Sequence, residues 1–199
     1  TVTYSNYSAG AAIFATPFVL GKTFAGIDPA TLGYSNLILL WGANLLEARM
    51  GSEFPVRLAE ARRRGVPILV VDPRRSATIE RLGAEWIPCK PGKDVALMMA
   101  VLYVLIDEGM VDLQFVDSHS VGFAELERYV LGEDGGTLHT PEWAAAECGT
   151  PVEAVYRLAR LYGAVKPAAL IPGYSIQRTL RGEDSYRMSI ALQVATGNL

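Results

Sequence analysis

Asn36-Leu37-Ile38-Leu39-Leu40-Trp41 is a short apolar run that stops at Gly42, and its reading decides the fold. Such a run is too short for an ordinary helix. With no polar alternation, it fits a strand buried on both faces, as in parallel sheets. Working outward, the pattern predicts a helix from about Phe54 to Arg64, closed by Gly65. Val66 to Val71 repeats the apolar run and ends at Asp72-Pro73, a second strand. A turn of helix near Thr78 to Leu82 leads to a short third strand, Glu85 to Pro88. Asp94 is placed to cap an apolar helix that ends by Gly109.

Residues 112–165 read as mainly helical. Thr140-Pro141 and Thr150-Pro151 each set a hydroxyl before a proline at the first helical position, and Thr150 with Glu153 spells a capping box. Ala168 to Ile171 predicts a fourth strand and Asp184 to Ala195 a final helix. Strands 36–41, 67–71, 85–88 and 168–172, separated by helices, imply an α/β fold. The expected sheet is doubly wound, mainly parallel and Rossmann-like, in order 3-2-1-4, because right-handed crossovers leave that as the simplest arrangement. Residues 1–35, rich in Gly, Ala, Ser and Tyr, are expected to form an irregular segment outside the sheet.

The chain has 199 residues, 18 basic and 21 acidic, for a formal charge of −3. That balance argues against a general nucleic-acid binder. Cys89 and Cys148 are too few for a disulfide framework and form no CxxC pair. The longest apolar run, Val95 to Ile106, would cover roughly 18 Å as a helix. A hydrocarbon core is ~30 Å thick, so no transmembrane segment is expected. The start at Thr1 without a leader, and the stop at Gly197-Asn198-Leu199 just after a helical pattern, lead us to expect a piece of a longer protein.

Several motifs fail on inspection. Trp41-Gly42-Ala43-Asn44 has one glycine and no dinucleotide fingerprint. Gly21-Lys22-Thr23 lacks the leading glycine of a phosphate loop, and Pro91-Gly92-Lys93-Asp94 lacks its hydroxyl. Gly173-Tyr174-Ser175-Ile176-Gln177 lacks the second glycine of a nucleophile elbow. Asp117-Ser118-His119-Ser120 has triad residue types, but sequence neighbours do not make triad geometry. His119 and His139 have no zinc-ligand spacing.

What survives is a set of polar residues at strand ends. These are Asn44, Asp72-Pro73-Arg74-Arg75-Ser76, Gly92-Lys93-Asp94 and Gly173-Tyr174-Ser175. All would converge on one sheet edge, where ligands of such folds bind. Residues 57–81 hold seven arginines against three acids, a local excess that suits an anion such as a pyrophosphate. Taken singly, Asp72 and Asp94 could merely cap turns and the arginines form a solvated face. Four strand ends together favour a nucleotide site.

In order and spacing these segments resemble the dimethyl sulfoxide reductase family of molybdenum enzymes. The matching strings are Trp41-Gly42-Ala43-Asn44, Val71-Asp72-Pro73-Arg74, Pro91-Gly92-Lys93-Asp94, Thr140-Pro141-Glu142-Trp143-Ala144, Gly173-Tyr174-Ser175-Ile176-Gln177-Arg178 and Ala195-Thr196-Gly197-Asn198. Lys93 departs from the threonine usual in the third string. The resemblance implies molybdenum held by two molybdopterin guanine dinucleotides, with residues 36–199 as the α/β domain binding one of them and running into the next domain. It implies that Trp41, Gly42, Ala43, Asn44, Asp72, Pro73, Arg74, Ser76, Gly92, Lys93 and Asp94 contact guanosine and phosphates. Gly173, Ser175, Gln177 and Arg178 would face the pterin and the substrate funnel.

By the same resemblance, residues 1–35 carry the metal-ligand loop Tyr7-Ser8-Ala9-Gly10-Ala11-Ala12, with Ser8 as the molybdenum ligand. Serine there is similar to the S-oxide and N-oxide reductases. The implied activity is oxygen-atom transfer from a small-molecule oxide, with catalytic residues Ser8 and Arg178. An electron-transfer subunit or carrier, an iron–sulfur cluster elsewhere in the full chain and a periplasmic or membrane-associated setting are further implications. The isolated piece is expected to be inactive. Two other readings stand beside this one. The first is a polysulfide, arsenate or formate type of the same family. The second is a nucleotide-binding or structural α/β domain, like the central domain of thiamine-diphosphate enzymes.

Overall fold

The protein is described here from a computed structural model, over residues 9–22, 27–48, 52–133 and 135–199. Its strands are β1 (Leu37–Trp41), β2 (Ile68–Asp72), β3 (Glu85–Pro88) and β4 (Ala168–Pro172). All pairings are parallel and the order is β3-β2-β1-β4, as the sequence predicts. In chain order the first helices are α1 (Gly10–Leu20), α2 (Glu53–Arg63), α3 (Ala77–Leu82) and α4 (Asp94–Asp107). They are followed by α5 (Leu113–His119), α6 (Phe123–Leu131), α7 (Pro141–Cys148), α8 (Val152–Ala164) and α9 (Gly182–Ala195).

Side-chain alternation divides the core into two layers. Leu37, Leu39 and Trp41 of β1, with Leu69 and Val71 of β2, face α4, α7, α8 and α9. Ile38 and Leu40, with Ile68 and Val70, face Leu58 and Ala61 of α2 and Ile79 and Leu82 of α3. Both sheet faces are therefore covered, which is why β1, β2 and β4 read as apolar runs, whereas the edge strand β3 is only partly buried. α4 is buried almost all round, from Leu97 to Leu105. Each fully buried leucine or valine there contributes about 1.5–3 kcal/mol relative to exposure. Among the described residues no helix is long and apolar enough to cross a membrane.

Three local expectations need correction. The N-terminal segment is not irregular throughout, because Gly10–Leu20 is helical and packs along α9. Its almost wholly apolar sequence, with Pro17 inside, has no amphipathic period to announce a helix. Asp94 is not the N-cap residue of α4: Lys93 holds that position, and Asp94 is the first helical residue, its carboxylate accepting from Trp41 Nε1. Thr150 and Glu153 form no capping box, since α8 starts after Pro151 and the Thr150 hydroxyl donates instead to the Pro88 carbonyl at 2.6 Å. Thr140 does cap α7, accepting from Trp143 N–H at 3.2 Å.

Candidate functional site

The helices after β1 and β2 pack on one sheet face, and the long helical excursion after β3 returns on the other. The chain thus reverses direction across the sheet between β1 and β4, the position where doubly wound folds open a crevice. Here the two strand ends are closely knit. Gly173 N–H donates to the Trp41 carbonyl at 2.8 Å, and the Ser175 hydroxyl donates to the Gly42 carbonyl at 2.7 Å. A Cβ on Gly173 would lie 2.0 Å from the Gly42 oxygen, so only glycine permits this approach. Gly42 itself has a φ of +60°, the left-handed region.

Asn44, beyond β1, is held from two sides. Its amide donates to Glu47 at 2.5 Å, and the Thr78 hydroxyl at the start of α3 donates to its oxygen. Glu47 also pairs with Arg74, at 3.5 Å. The loops after β1 and β2 are thereby tied to each other. Past β3, Gly92 turns so tightly beside Thr179 that an added Cβ would meet its hydroxyl at 2.8 Å. The β3 and β4 loops therefore also meet, and the predicted strand-end residues form one rim.

Two carboxylates lie within that rim. Asp72 is buried and accepts from Arg74 N–H at 3.0 Å. Asp94 is buried and accepts from Trp41 Nε1 at 3.0 Å. Burial raises the pKa of both above the ordinary carboxylate value, because the charged forms lose water. The Arg74 N–H at Asp72, and the Trp41 and own-backbone N–H groups at Asp94, work against that rise. Asp72 adds like-charge repulsion at Asp94. The Ser76 hydroxyl, four residues beyond Asp72, is buried with no hydrogen-bond partner among the described residues. Two desolvated carboxylates and one unpartnered hydroxyl fit a ligand rich in donors, such as the base and sugar of a nucleoside.

The remaining predicted residues are placed as follows. Ala43 is buried and Pro73 is exposed, each following its strand. Lys93 is exposed and pairs with Glu147 of α7 at 2.7 Å. Gln177 is buried in a short 3-10 turn after β4, and its Oε1 accepts from Ala12 N–H of α1 at 3.0 Å. Arg178 follows that turn. Ser8 lies outside the described residues.

The arginine excess does not gather at the rim. Arg57 pairs with Glu53 and Glu60, Arg75 with Glu80, and Arg64 with the Leu32 and Gly33 carbonyls. Arg62, Arg63 and Arg81 sit in the last turns of α2 and α3, which lead back to the opposite sheet edge. Sequence reading missed the roles of Trp41 and Thr78 in holding Asp94 and Asn44. Neither partner is near in sequence, and no local pattern signals such a bond. Among the described residues no cluster of His, Cys, Asp and Glu is arranged to hold a metal.

Architecture and rim together define a Rossmann-like α/β domain with its polar loops gathered at a topological switch. The sequence matches the molybdopterin oxidoreductase family over residues 2–199, and the chain belongs to that family, within its dimethyl sulfoxide reductase group. It is 35% identical over 98% of its length to the probable dimethyl sulfoxide reductase chain YnfF of Escherichia coli (strain K12). It is 34% identical, again over 98%, to the trimethylamine-N-oxide reductase of Haemophilus influenzae. It covers 26% and 25% of those proteins, respectively. The chain thus spans about a quarter of the relatives it matches. Among solved structures, acetylene hydratase from Pelobacter acetylenicus superposes with a TM-score of 0.79 at 23% identity, covering 99% of this chain and 26% of that one. At that identity the likeness speaks for the fold alone. The family takes its name from the molybdopterin cofactor and the oxidoreductases that carry it.

Proposed function

We propose that residues 36–199 hold one molybdopterin guanine dinucleotide within a larger enzyme that reduces S-oxides or N-oxides by oxygen-atom transfer. The observation that carries this reading is the buried Asp94 carboxylate at the end of the β3 loop, fixed by Trp41. A carboxylate there accepts from the N1–H and amino edge of guanine, a donor pair that adenine lacks. Asp72, ending β2, suits the ribose hydroxyls, as acidic residues do at that position of dinucleotide folds. Ser76, Asn44 and Arg74 border the same rim. Gly92 and Lys93 lead into Asp94, and Gly173, Ser175, Gln177 and Arg178 lie on the pterin side. When bound, the molybdenum cofactor supplies the two-electron chemistry of oxygen transfer; the protein contributes orientation and electrostatics.

Ser8 is the protein ligand to the metal in this reading. A deprotonated hydroxyl is a hard oxygen donor, suited to a high-valent, oxygen-accepting ion. The bond from Ala12, four positions after Ser8, to Gln177 supports it, because it brings the start of α1 to the β4 loop. The relatives named as dimethyl sulfoxide and trimethylamine-N-oxide reductases support the substrate class. An electron-transfer subunit or carrier completes the proposed enzyme. Two variants of the full-length enzyme test this. Asp94→Asn should lower the guanine nucleotide released from the purified protein. Ser8→Ala should alter the molybdenum coordination seen by X-ray absorption and abolish oxide reduction. Undiminished guanine content in the first, or an unchanged metal sphere in the second, would refute the respective assignment.

A further inference from the structure

The two cysteines take no part in the rim, and their spacing in sequence suggests no pairing. In the fold they share one apolar cluster, Cys89 3% and Cys148 1% exposed. The backbone on either side of Cys89 is laced to the segment around Cys148. Lys90 N–H donates to the Cys148 carbonyl at 2.8 Å, and Thr150 Oγ1 donates to the Pro88 carbonyl at 2.6 Å. Thr150 Oγ1 also lies 3.1 Å from Cys148 Sγ. Between these two bonds both cysteine side chains enter the same buried cluster, the Cys89 thiol lying 3.6 Å from the Lys90 carbonyl oxygen. Buried thiols kept only for packing need no such alignment.

We propose that Cys89 and Cys148 are an oxidisable thiol pair that closes into an intrachain disulfide on exposure to a peroxide, stapling the exit of β3 to the end of α7. Burial restricts the reaction to an oxidant little larger than water, which hydrogen peroxide satisfies. Cys148 is the nucleophile. The Cys89 thiol, with the Thr150 backbone N–H, brings the Cys148 pKa down to about 6 against the opposing effect of burial, while the same contact and burial push the Cys89 thiol up.

The Cys148 thiolate attacks one peroxide oxygen, the O–O bond breaks and hydroxide leaves, giving a sulfenic acid. The Cys89 sulfur then attacks the Cys148 sulfur, the S–O bond breaks, and the departing hydroxide takes the Cys89 proton as water. Two electrons pass from the thiol pair to the peroxide. The product ties the segment leading into Gly92 and Asp94 to the α7–α8 junction.

The test is a peptide mass map of the full-length protein, treated with hydrogen peroxide and then alkylated under denaturing conditions. The expected result is a cross-linked pair of peptides containing Cys89 and Cys148, lost on reduction with dithiothreitol. In Cys89→Ser, Cys148 should instead be trapped by dimedone as a sulfenic acid. Wild-type protein in which both cysteines stay alkylatable, or in which Cys148 proceeds to sulfinic acid without a cross-link, would overturn the proposal. That wild-type map decides the matter even if the variant does not fold.

Discussion

The indole N–H of Trp41, the last residue of β1, donates to the carboxylate of Asp94, the first residue of α4, across 3.0 Å of protein interior. Trp41 is fully buried, so no water competes for that proton. The bond sets the plane of a carboxylate that would otherwise face its desolvation with one donor fewer. Trp41→Phe keeps an aromatic ring and removes the N–H. It should lower the stability of the cofactor-free protein by about 1–3 kcal/mol, read from urea unfolding. An unchanged midpoint would mean that the bond adds nothing to the fold.

The pH dependence has a definite sign. Asp94 and Asp72 titrate above the ordinary carboxylate value of 3.8, chiefly because they are buried. A carboxyl whose folded pKa is raised stabilises the fold fully below the unfolded value, and that contribution is lost as pH rises through the folded one. Asp94→Asn retains an oxygen acceptor for Trp41 and carries no charge. Cofactor-free Asp94→Asn should therefore melt higher than wild type at neutral pH, with the gap closing as the pH falls through the raised folded value towards 3.8. A lower melting temperature for the variant at neutral pH would contradict this.

Ser76 separates ligand binding from stability. Its buried hydroxyl has no partner among the described residues, so removing the oxygen breaks no hydrogen bond described there. Ser76→Ala should change stability by no more than about 0.5 kcal/mol, or raise it slightly. The same variant in the full-length enzyme should retain less cofactor after dialysis, measured as molybdenum and guanine per chain. Equal retention would remove Ser76 from the rim's binding residues.

The sheet was legible because β1, β2 and β4 are short apolar runs bounded by Gly, Pro, Asp or Asn, and β3 follows the turn of helix expected before it. Such runs admit one layered solution, and its order follows from crossover handedness. Helix α1 was not legible, because an all-apolar stretch carries no period. The caps assigned to Asp94 and Thr150 failed for one shared reason. Each side chain has a distant partner that sequence spacing cannot reveal, Trp41 for Asp94 and the Pro88 carbonyl for Thr150. The strand-end residues could be found from topology alone, whereas the unpartnered state of Ser76 and the meeting of the cysteines depend on packing. The arginine excess misled as a count, because most of it is spent on helix carboxylates and loop carbonyls.

The paired glycines where β1 and β4 meet bear on how this domain can be diversified. At Gly173 the neighbouring backbone occupies the space of any side chain, and at Gly42 the chain turns through a left-handed conformation. A randomised library would recover these two positions unchanged even with selection for folding alone and no ligand present. Lys93, exposed and paired with Glu147, lies on the same rim without that restriction. Attempts to retune which nucleotide the crevice accepts should therefore vary position 93 and its partner, and leave the glycine seam alone.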